Sequence, residues 1–440
     1  MSPYSIFILI VFTGFCCAGN YEVYKGYKYL NVDISTQRSR RYIQDIEKNL
    51  GFMPDFLGES RKKRQANFFV DGESANKIRS NFDQNNITYH LKDVDLNTFK
   101  TRRRRELNQI VTINDVNSRY LSYEEQMQFI NTLSQSFPRL MKLQNLGNSF
   151  EGRPITSVRL GEDNPSKPIV WIDAGMHARE WISYNVALHF IYTMLTDPIN
   201  RQLLRRVTVV VVPNANPDGY EFSRTVQRMW RKTRSRNTNS RCSGADGNRN
   251  YPFYWGTLGV SHSTCSEIYC GTRPQSEPEV LALTNAIQSE ETRIKAYLSL
   301  HSYGQEILYP WGHTLHTYPS DVNDLIRVGQ LMANAIRSVS NTQYTVKNSG
   351  DGLYPAAGAS DDWAKSRGIK YAYTMELSPE DDFVGFELPE ELISKVNREA
   401  LQGVLALVRV VSQDYGVAQP VAAIKHVRAF ATRARAFGKG

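Results

Sequence analysis

Two residues suited to metal binding stand three positions apart, directly after an apolar segment of the chain. His177 and Glu180 follow PIVWIDAG at residues 168–175, which has the composition of a buried strand. Polar residues at strand ends commonly form the active sites of open α/β sheets, and zinc accepts an imidazole nitrogen and a carboxylate oxygen at about 2.0–2.2 Å. The spacing predicts half of a zinc site, although the same residues would also suit a solvated turn.

The third ligand of such a site is predicted at His301. A catalytic zinc site needs three protein ligands and one open position. His301 ends the apolar segment RIKAYLSLHS at residues 293–302, as His177 follows its own strand. The other histidines considered do not end a hydrophobic strand in this way: His90, His262, His313, His316 and His426.

The segments that would position these side chains alternate between apolar strands and helices from Glu106 onward. Strands are predicted in ITSVRLG, PIVWIDAG, VTVVVVPNAN, RIKAYLSLHS and YAYTMELS, and helices in SYNVALHFIYTMLTD, EPEVLALTNAIQSEE and residues 389–413. Apolar strands separated by crossover helices are typical of a mixed sheet that is covered on both faces. We therefore predict an α/β domain over residues 106–415.

Residues 20–105 form a separate unit. YKYLNVDI, ANFFVDG and ITYHLKDV predict strands, and RRYIQDIEKNL and ESANKIRSNFDQ predict helices between them. This order fits a small α+β unit. It ends in a basic run, Arg102–Arg105, which in an exported protein is a cleavage site for trypsin-like proteases. The RKKR segment at residues 61–64 is an alternative cleavage site inside the unit.

Residues 1–19 carry no charge and include an apolar run from Ile6 to Phe15. This pattern is typical of a secretory signal peptide, and the run is too short to span a bilayer. We therefore expect a secreted, extracellular protein.

The net charge of +9 belongs to the two ends of the chain. Residues 20–105 have 18 Lys and Arg against 11 Asp and Glu, and residues 416–440 have five Lys and Arg and no acidic residue. Because the central domain is not basic, the composition argues against a nucleic-acid-binding or membrane-surface role. Residues 416–440 have too few apolar residues to build a core, and we expect a flexible basic extension.

Three cysteines remain once the signal peptide is removed. In an oxidising compartment two of them can pair and one is left over. A bond between Cys242 and Cys265 would close a modest loop, worth about 3 kcal/mol in the chain-entropy model. Cys270 is then the odd thiol, although pairing with Cys270 instead stays open.

Several motifs in one order give the chain a resemblance to a known family. HAREW, NPDGY, RMWRKTRS, DGNRN, LSLHSYGQ, YPAAGASDDW and TMEL resemble the zinc metallocarboxypeptidases of the pancreatic, digestive type, and the match is closest to the carboxypeptidase B branch. The resemblance covers about residues 20–415. It implies a mixed eight-stranded sheet flanked by helices, preceded by a ferredoxin-like activation propeptide over residues 20–105 that caps the active site.

The resemblance also implies the catalytic roles. His177, Glu180 and His301 would hold one Zn²⁺ per chain with a water in the fourth position, and Glu376 would act as general base and acid for that water. Arg231 would stabilise the oxyanion that forms on the scissile carbonyl. The remaining matches concern substrate binding: Asn248 and Arg249 as the clamp for the terminal carboxylate, Tyr354 as the tyrosine that closes over it, and Arg179, Arg228, Ser302, Tyr303 and Phe386 as outer subsites.

Asp361 carries the expectation about specificity. It matches the floor of the pocket for the substrate's C-terminal side chain, which is acidic in B-type enzymes and apolar in A-type ones. A buried carboxylate requires a cationic partner, which predicts a preference for C-terminal Lys or Arg. As a bare sequence feature, Asp361 or Asp362 could equally cap a helix. Gly312 stands where B-type enzymes usually have serine and A-type enzymes glycine, so A-type specificity for apolar residues is the alternative.

The implied partners follow from this resemblance. The chain is expected to be a secreted zymogen that acts on the C-termini of peptides and proteins. A trypsin-like protease would activate it, protein inhibitors would bind it, and it would be a monomer without nucleic-acid or membrane partners.

Overall fold

The computed structural model describes residues 24–52, 54–60, 64–94, 110–352, 354–380 and 385–417. The predicted signal peptide, the Arg102–Arg105 cleavage site, residues 61–63 of the alternative site and residues 418–440 of the basic extension lie outside the described residues. The boundaries predicted there therefore stay predictions.

The N-terminal unit is a four-stranded antiparallel sheet with helices on it. Its strands are β1 (Lys28–Asp33), β2 (Asp55–Ser60), β3 (Gln65–Val70) and β4 (Tyr89–Asp93), and its helices are α1 (Gln37–Gln44), α2 (Ile46–Leu50) and α3 (Gly72–Gln84). The order across the sheet is β2-β3-β1-β4. Phe68, Ile78 and Phe82 are fully buried in its core.

The sequence pattern missed β2. This strand lies at the edge of the small sheet, and its register against β3 shifts between Phe56 and Gly58. An edge strand with a bulge needs no regular alternation of apolar and polar residues, so DFLGES gave no periodic signal.

The second sheet has eight strands, which confirms the predicted mixed α/β architecture. They are β5 (Met141–Asn148), β6 (Pro154–Leu160), β7 (Ile169–Ala174), β8 (Thr208–Val212), β9 (Ile294–Ser302), β10 (Glu306–Tyr309), β11 (Thr345–Asn348) and β12 (Tyr371–Leu377). The order is β11-β10-β12-β9-β7-β8-β6-β5. Strands β8, β7, β9 and β12 run parallel at the centre, and β10 and β6 pair antiparallel on either side.

Helices cover both faces of this sheet. They are α4 (Ile113–Ser118), α5 (Tyr123–Ser136), α6 (Trp181–Thr196), α7 (Pro198–Arg201), α8 (Pro217–Thr225), α9 (Pro278–Glu290), α10 (Val322–Ser340), α11 (Ser349–Gly352), α12 (Ser360–Ser366) and α13 (Glu390–Asp414). The larger core joins one sheet face to α5, α6, α10 and α13, and a second core joins the other face to α9 and α12. The central strands are apolar on both sides because both sides are covered: every residue of β7 and β8 is buried.

A disulfide joins Cys242 to Cys265, with an S–S distance of 2.00 Å, and Cys270 is free and buried. The predicted pairing is thus confirmed, and so is the odd thiol. Within the described parts of the chain, no helix combines the length and the apolar composition that crossing a membrane requires.

Candidate active site

Three parallel strands bring the predicted catalytic residues to one edge of the sheet. In the register of β9 and β12, His301 lies beside Glu376. Strand β7 is the other neighbour of β9, with Ala174 beside Leu300, and the chain continues from it into His177. The carboxyl ends of adjacent parallel strands therefore place residues far apart in sequence next to one another.

The turn between β7 and α6 positions His177 and Glu180. It begins at Gly175, whose φ of +74° is in the left-handed region, and a Cβ there would lie 2.1 Å from the Tyr184 ring. Only glycine fits this close approach. Glu180 is the last residue before α6, and its amide bonds back to the carbonyl of His177 at 3.3 Å. This tight turn points both side chains the same way.

Three donor atoms converge in a buried position. The Nδ1 atom of His177 is 2.7 Å from Glu180 Oε1, and the Nδ1 atom of His301 is 2.9 Å from Glu180 Oε2. The two Nδ1 atoms are only 3.1 Å apart. Ligand atoms about 2.1 Å from a tetrahedral centre lie roughly 3.4 Å from one another. The set fits a zinc ion, and it is the one group of metal-binding side chains found among the described residues.

The far nitrogen of each imidazole is fixed by another side chain. His177 Nε2 is 3.0 Å from Asp246 Oδ1. His301 Nε2 is 3.0 Å from Ser299 Oγ, and Ser299 in turn donates to Asp173 at 2.6 Å. Such contacts select the tautomer that leaves Nδ1 free to bind a metal.

Asp246 links the metal end of the cleft to Arg231. Its Oδ2 accepts hydrogen bonds from Arg231 Nη2 at 2.8 Å and Nε at 3.1 Å. Burial alone would raise the pKa of Asp246, but the charges of Arg231 and His177 hold it well below its usual value. The lowered pKa favours the ionised form of Asp246, whose carboxylate orients both the imidazole and the guanidinium.

Glu376 lies at the end of β12, half-buried, on the wall of the cleft that His177 and Glu180 also line. The pKa of Glu376 is raised to about 8, chiefly by burial and also by the nearby carboxylates Glu180 and Glu306, while the charge of His301 opposes the rise. A carboxyl with a raised pKa can both take and return a proton near neutral pH.

The predicted carboxylate clamp lies beside this end of the cleft. Arg249 is 2 % exposed; its Nε and Nη1 donate to the carbonyls of Gly259 and Asn248 at 3.0 and 2.9 Å. Its Nη2 is buried and has no hydrogen-bond partner in the part of the chain that the structure describes. Asn248 accepts from the amide of Ser360 at 2.9 Å, and the Tyr354 ring lies 5.8 Å from the guanidinium carbon of Arg249. An unpartnered donor in a cleft suits an anionic ligand.

Asp361 lies on the floor of the same cleft. It is 3 % exposed, and its described side-chain hydrogen bond comes from Ser349 Oγ at 3.2 Å. Burial raises the pKa of Asp361 to about 7, and the charge of Asp362 adds to the rise. Neither aspartate caps the helix, because the residue preceding α12 is Ala359. The helix-cap alternative is therefore wrong.

The outer subsite residues divide into two groups. Ser302, Tyr303 and Phe386 line the cleft with the residues described above. Arg179 and Arg228 are buried beside it: Arg179 bonds Asp55 of the N-terminal unit at 2.6 and 3.1 Å, and Arg228 donates to the carbonyls of Arg179 and Phe386. The subsite role of these two arginines stays a prediction.

The family model for zinc carboxypeptidases matches residues 126–403, which contain every side chain of the site described above except Asp55. The chain belongs to the zinc carboxypeptidase family. It is therefore a metallocarboxypeptidase, an enzyme whose cofactor is zinc and whose substrates are the C-termini of peptides and proteins.

Relatives within the zinc carboxypeptidase family include proteins named carboxypeptidase A and proteins named carboxypeptidase B. The chain is 38 % identical over 299 residues to carboxypeptidase B of Astacus astacus, covering 67 % of this chain and 98 % of the relative. The solved structure of carboxypeptidase A from Helicoverpa armigera matches with a TM-score of 0.82 at 28 % identity, over 89 % of this chain and 99 % of that one. Bovine thrombin-activatable fibrinolysis inhibitor, solved in complex with tick carboxypeptidase inhibitor, matches with a TM-score of 0.64 at 36 % identity, over 67 % and 98 % of the two chains.

Some residues of this carboxypeptidase site were not predicted. Asp246, Ser299 and Ser349 bond the predicted residues, and Asp55 bonds Arg179. Asp246 begins the DGNRN motif and caps the short helical turn that follows it, so its position was a usable signal. Ser349 and Asp55 gave no such sequence signal, because their partners, Asp361 and Arg179, are 12 and 124 residues away.

Proposed function

We propose that the chain is the secreted zymogen of a B-type carboxypeptidase, which removes C-terminal Lys and Arg from peptides. The observation that carries the specificity is the buried Asp361 carboxylate on the cleft floor, beside which the described residues place a hydroxyl but no cation. A lysine or arginine side chain of the substrate would supply the missing positive charge.

In this proposal the enzyme binds two groups of the substrate's C-terminal residue, its carboxylate and its side chain. Arg249 Nη2 and Asn248 bind the terminal carboxylate, Tyr354 closes over it, and Asp361 binds the side chain. Holding a substrate this way sets the scissile carbonyl against the reacting groups and lowers the entropic cost of reaction.

The remaining residues perform the hydrolysis. His177, Glu180 and His301 would hold the zinc ion, which when bound would supply Lewis acidity for the carbonyl and the attacking water. Glu376 takes the proton of that water and delivers it to the leaving amine nitrogen. Arg231, oriented by Asp246, donates to the oxyanion that forms.

The N-terminal unit is proposed to inhibit until it is cleaved near Arg102–Arg105. Support comes from two contacts at the outer end of the cleft. Asp55 pairs with the fully buried Arg179, and the hydroxyl of Tyr24 accepts from the amide of Met229 at 2.7 Å, next to Phe386. A substrate that needs these groups cannot reach them while the N-terminal unit is in place.

The test is a comparison of the purified full-length chain before and after trypsin, on matched hippuryl substrates ending in Arg or Phe, with and without a zinc chelator. We expect Arg release only after trypsin and only with metal, and Glu376→Gln controls for contaminating protease. Preferential Phe release would overturn B-type specificity and favour the A-type alternative.

The zymogen contact has its own test. Asp55→Asn removes the charge opposite Arg179 and should raise the activity of the uncleaved chain several-fold, with no change after cleavage; exposed Asp93→Asn on the same unit is the matched control. Equal activity of Asp55→Asn and wild-type zymogens would contradict the inhibitory role of this contact.

A further inference from the structure

The ion pair between Arg179 and Asp55 has a second carboxylate beside it. Glu267 lies in the segment between α8 and α9, two residues after Cys265, whose disulfide to Cys242 ties this segment to the domain. The charges of Asp55 and Arg179 both act on Glu267. One guanidinium therefore has two neighbouring carboxylates, one from the N-terminal unit and one from the catalytic domain.

Only one of these two carboxylates is bonded. Arg179 donates to both oxygens of Asp55, at 2.6 and 3.1 Å. The Oε2 atom of Glu267 is buried and has no hydrogen-bond partner among the described residues, and the same holds for Arg179 Nε. Lys232 does not supply the missing bond, because its Nζ donates to the carbonyl of Thr264 at 2.7 Å. A buried carboxylate without a partner favours its neutral form.

The surroundings of Glu267 favour that neutral form only while the N-terminal unit is docked. The ionisable groups that act on it come from both units: Asp55 and Tyr27 from the N-terminal unit, and Arg179, Lys232 and Arg231 from the catalytic domain. The pKa of Glu267 is raised to about 7, chiefly by burial and also by the charge of Asp55, while the three cations oppose the rise. When the unit leaves, the repulsion from Asp55 disappears and the guanidinium of Arg179 becomes available.

We propose that Asp55 and Glu267 alternate as the counter-charge of Arg179, Asp55 while the N-terminal unit is docked and Glu267 after it has left. The inference rests on the proposed zymogen function and deepens it by naming how docking is regulated. On docking, the Glu267 carboxylate gives up Arg179 and takes one proton from solvent. On release, it returns that proton and pairs with the guanidinium.

This proton exchange makes the docking of the N-terminal unit depend on pH. In the docked state the pKa of Glu267 is about 7, and in the undocked state the pairing with Arg179 keeps its pKa at or below the ordinary value of a glutamate. The contribution to docking is complete below the undocked pKa and is lost as the pH rises through the docked pKa. The docking equilibrium should therefore weaken on the order of tenfold between pH 5.5 and pH 7.5.

The test compares the uncleaved chain with the cleaved catalytic domain, freed of the N-terminal unit by gel filtration, on the Arg substrate at each pH. The ratio of their kcat/KM values reports the undocked fraction, and it cancels the titration of active-site groups that both forms share. In the wild type this ratio should rise on the order of tenfold from pH 5.5 to pH 7.5. In Glu267→Gln, whose amide needs no proton, the ratio should stay at its low value throughout. The matched control is Glu162→Gln, an exposed glutamate of the same domain, which should behave as the wild type.

Two further measurements separate the exchange from damage to the fold. Asp55→Asn removes one competitor, so Glu267 can pair with Arg179 at every pH, and the ratio should be high and nearly flat. Gel filtration of the freshly cleaved complex reports docking without turnover. The wild-type unit should be retained on the catalytic domain at pH 5.5 and separate at pH 7.5, whereas the Glu267→Gln complex should retain it at both.

The outcomes distinguish this inference from the zymogen function on which it rests. An uncleaved chain as active as the cleaved one would overturn the zymogen function itself. A large difference between the two forms, with a flat wild-type ratio or a rise that persists in Glu267→Gln, would overturn only the carboxylate exchange. If Glu267→Gln is inactive after cleavage, the wild-type gel filtration decides, because equal retention at the two pH values would overturn the exchange.

Discussion

The buried carboxylates at the two ends of the cleft differ in the partners that surround them. At the metal end, Asp246 is bonded to both His177 and Arg231, and Glu180 is bonded to both histidines. At the floor, Asp361 is equally buried, and its carboxylate is bonded by the Ser349 hydroxyl at 3.2 Å and by backbone amides of its own turn. It takes part in none of the ion pairs found among the described residues. The difference indicates that the two ends have different roles. A fully hydrogen-bonded network at the metal end is preorganised for chemistry, whereas the Asp361 carboxylate, which lacks a counter-charge, can form its ion pair with the substrate.

The largest expected effect concerns the metal end. His301→Ala removes one of the three converging donors and leaves too few ligands for a stable site. We expect zinc content to fall from one per chain to a small fraction, with loss of activity on both Arg and Phe substrates. Metal analysis after dialysis measures the first effect. The exposed His316→Ala is the control, and full zinc occupancy in His301→Ala would show that His301 is not a ligand.

Glu376→Gln should separate chemistry from metal binding. The amide cannot accept the proton, so kcat should fall by about 10²- to 10⁴-fold on both substrates, while zinc content and KM stay close to wild type. Steady-state kinetics and metal analysis on the same preparation provide the check. A kcat within tenfold of wild type would mean that another group acts as the base.

Asp361→Asn should change one substrate and not the other. The variant leaves a substrate guanidinium buried without its counter-charge, so kcat/KM for Arg should fall by about 10²- to 10³-fold. The Phe substrate, which brings no charge to the floor, is the internal control. Equal losses on both substrates would indicate that Asp361 supports the fold and does not face the substrate.

The smallest effect is a pH dependence of specificity. Burial raises the pKa of Asp361 to about 7, so this carboxyl becomes neutral as the pH falls through that value. The ratio of kcat/KM for Arg over Phe should therefore fall about tenfold between pH 8 and pH 6. Taking the ratio cancels the titration of Glu376, which affects both substrates. A flat ratio over this range would show that Asp361 stays ionised in the free enzyme.

Much of the fold could be predicted where burial imposes a pattern. Strands β7, β8, β9 and β12 were found because both of their faces are buried, which requires continuous apolar residues. Helices α6, α9 and α13 lie within a few residues of their predicted ranges. Strands β2, β5, β10 and β11 were not predicted individually. Strands β2, β5 and β11 are edge strands, where polar residues are tolerated, and β10 is only four residues long.

The sequence by itself determined the chemistry of the metal end. His177 and His301 stand at the ends of apolar runs that the sequence shows, and the family resemblance added Glu376 at the end of a third run. The structure shows that the three runs are neighbouring parallel strands. The three cysteines that an exported chain retains predicted one disulfide and one odd thiol, but they left pairing with Cys270 open, and the structure shows the Cys242–Cys265 bond.

Only the tertiary structure decided what surrounds Asp361 and Arg179. The two aspartates at 361 and 362 have identical side chains, and packing alone gives one of them three hydrogen bonds and turns the other toward the cleft. Ser349 and Asp55 reach their partners across elements that have no sequence relation to one another. The physical reason is that periodicity encodes which face of an element is buried, but not which side chain of another element meets it there.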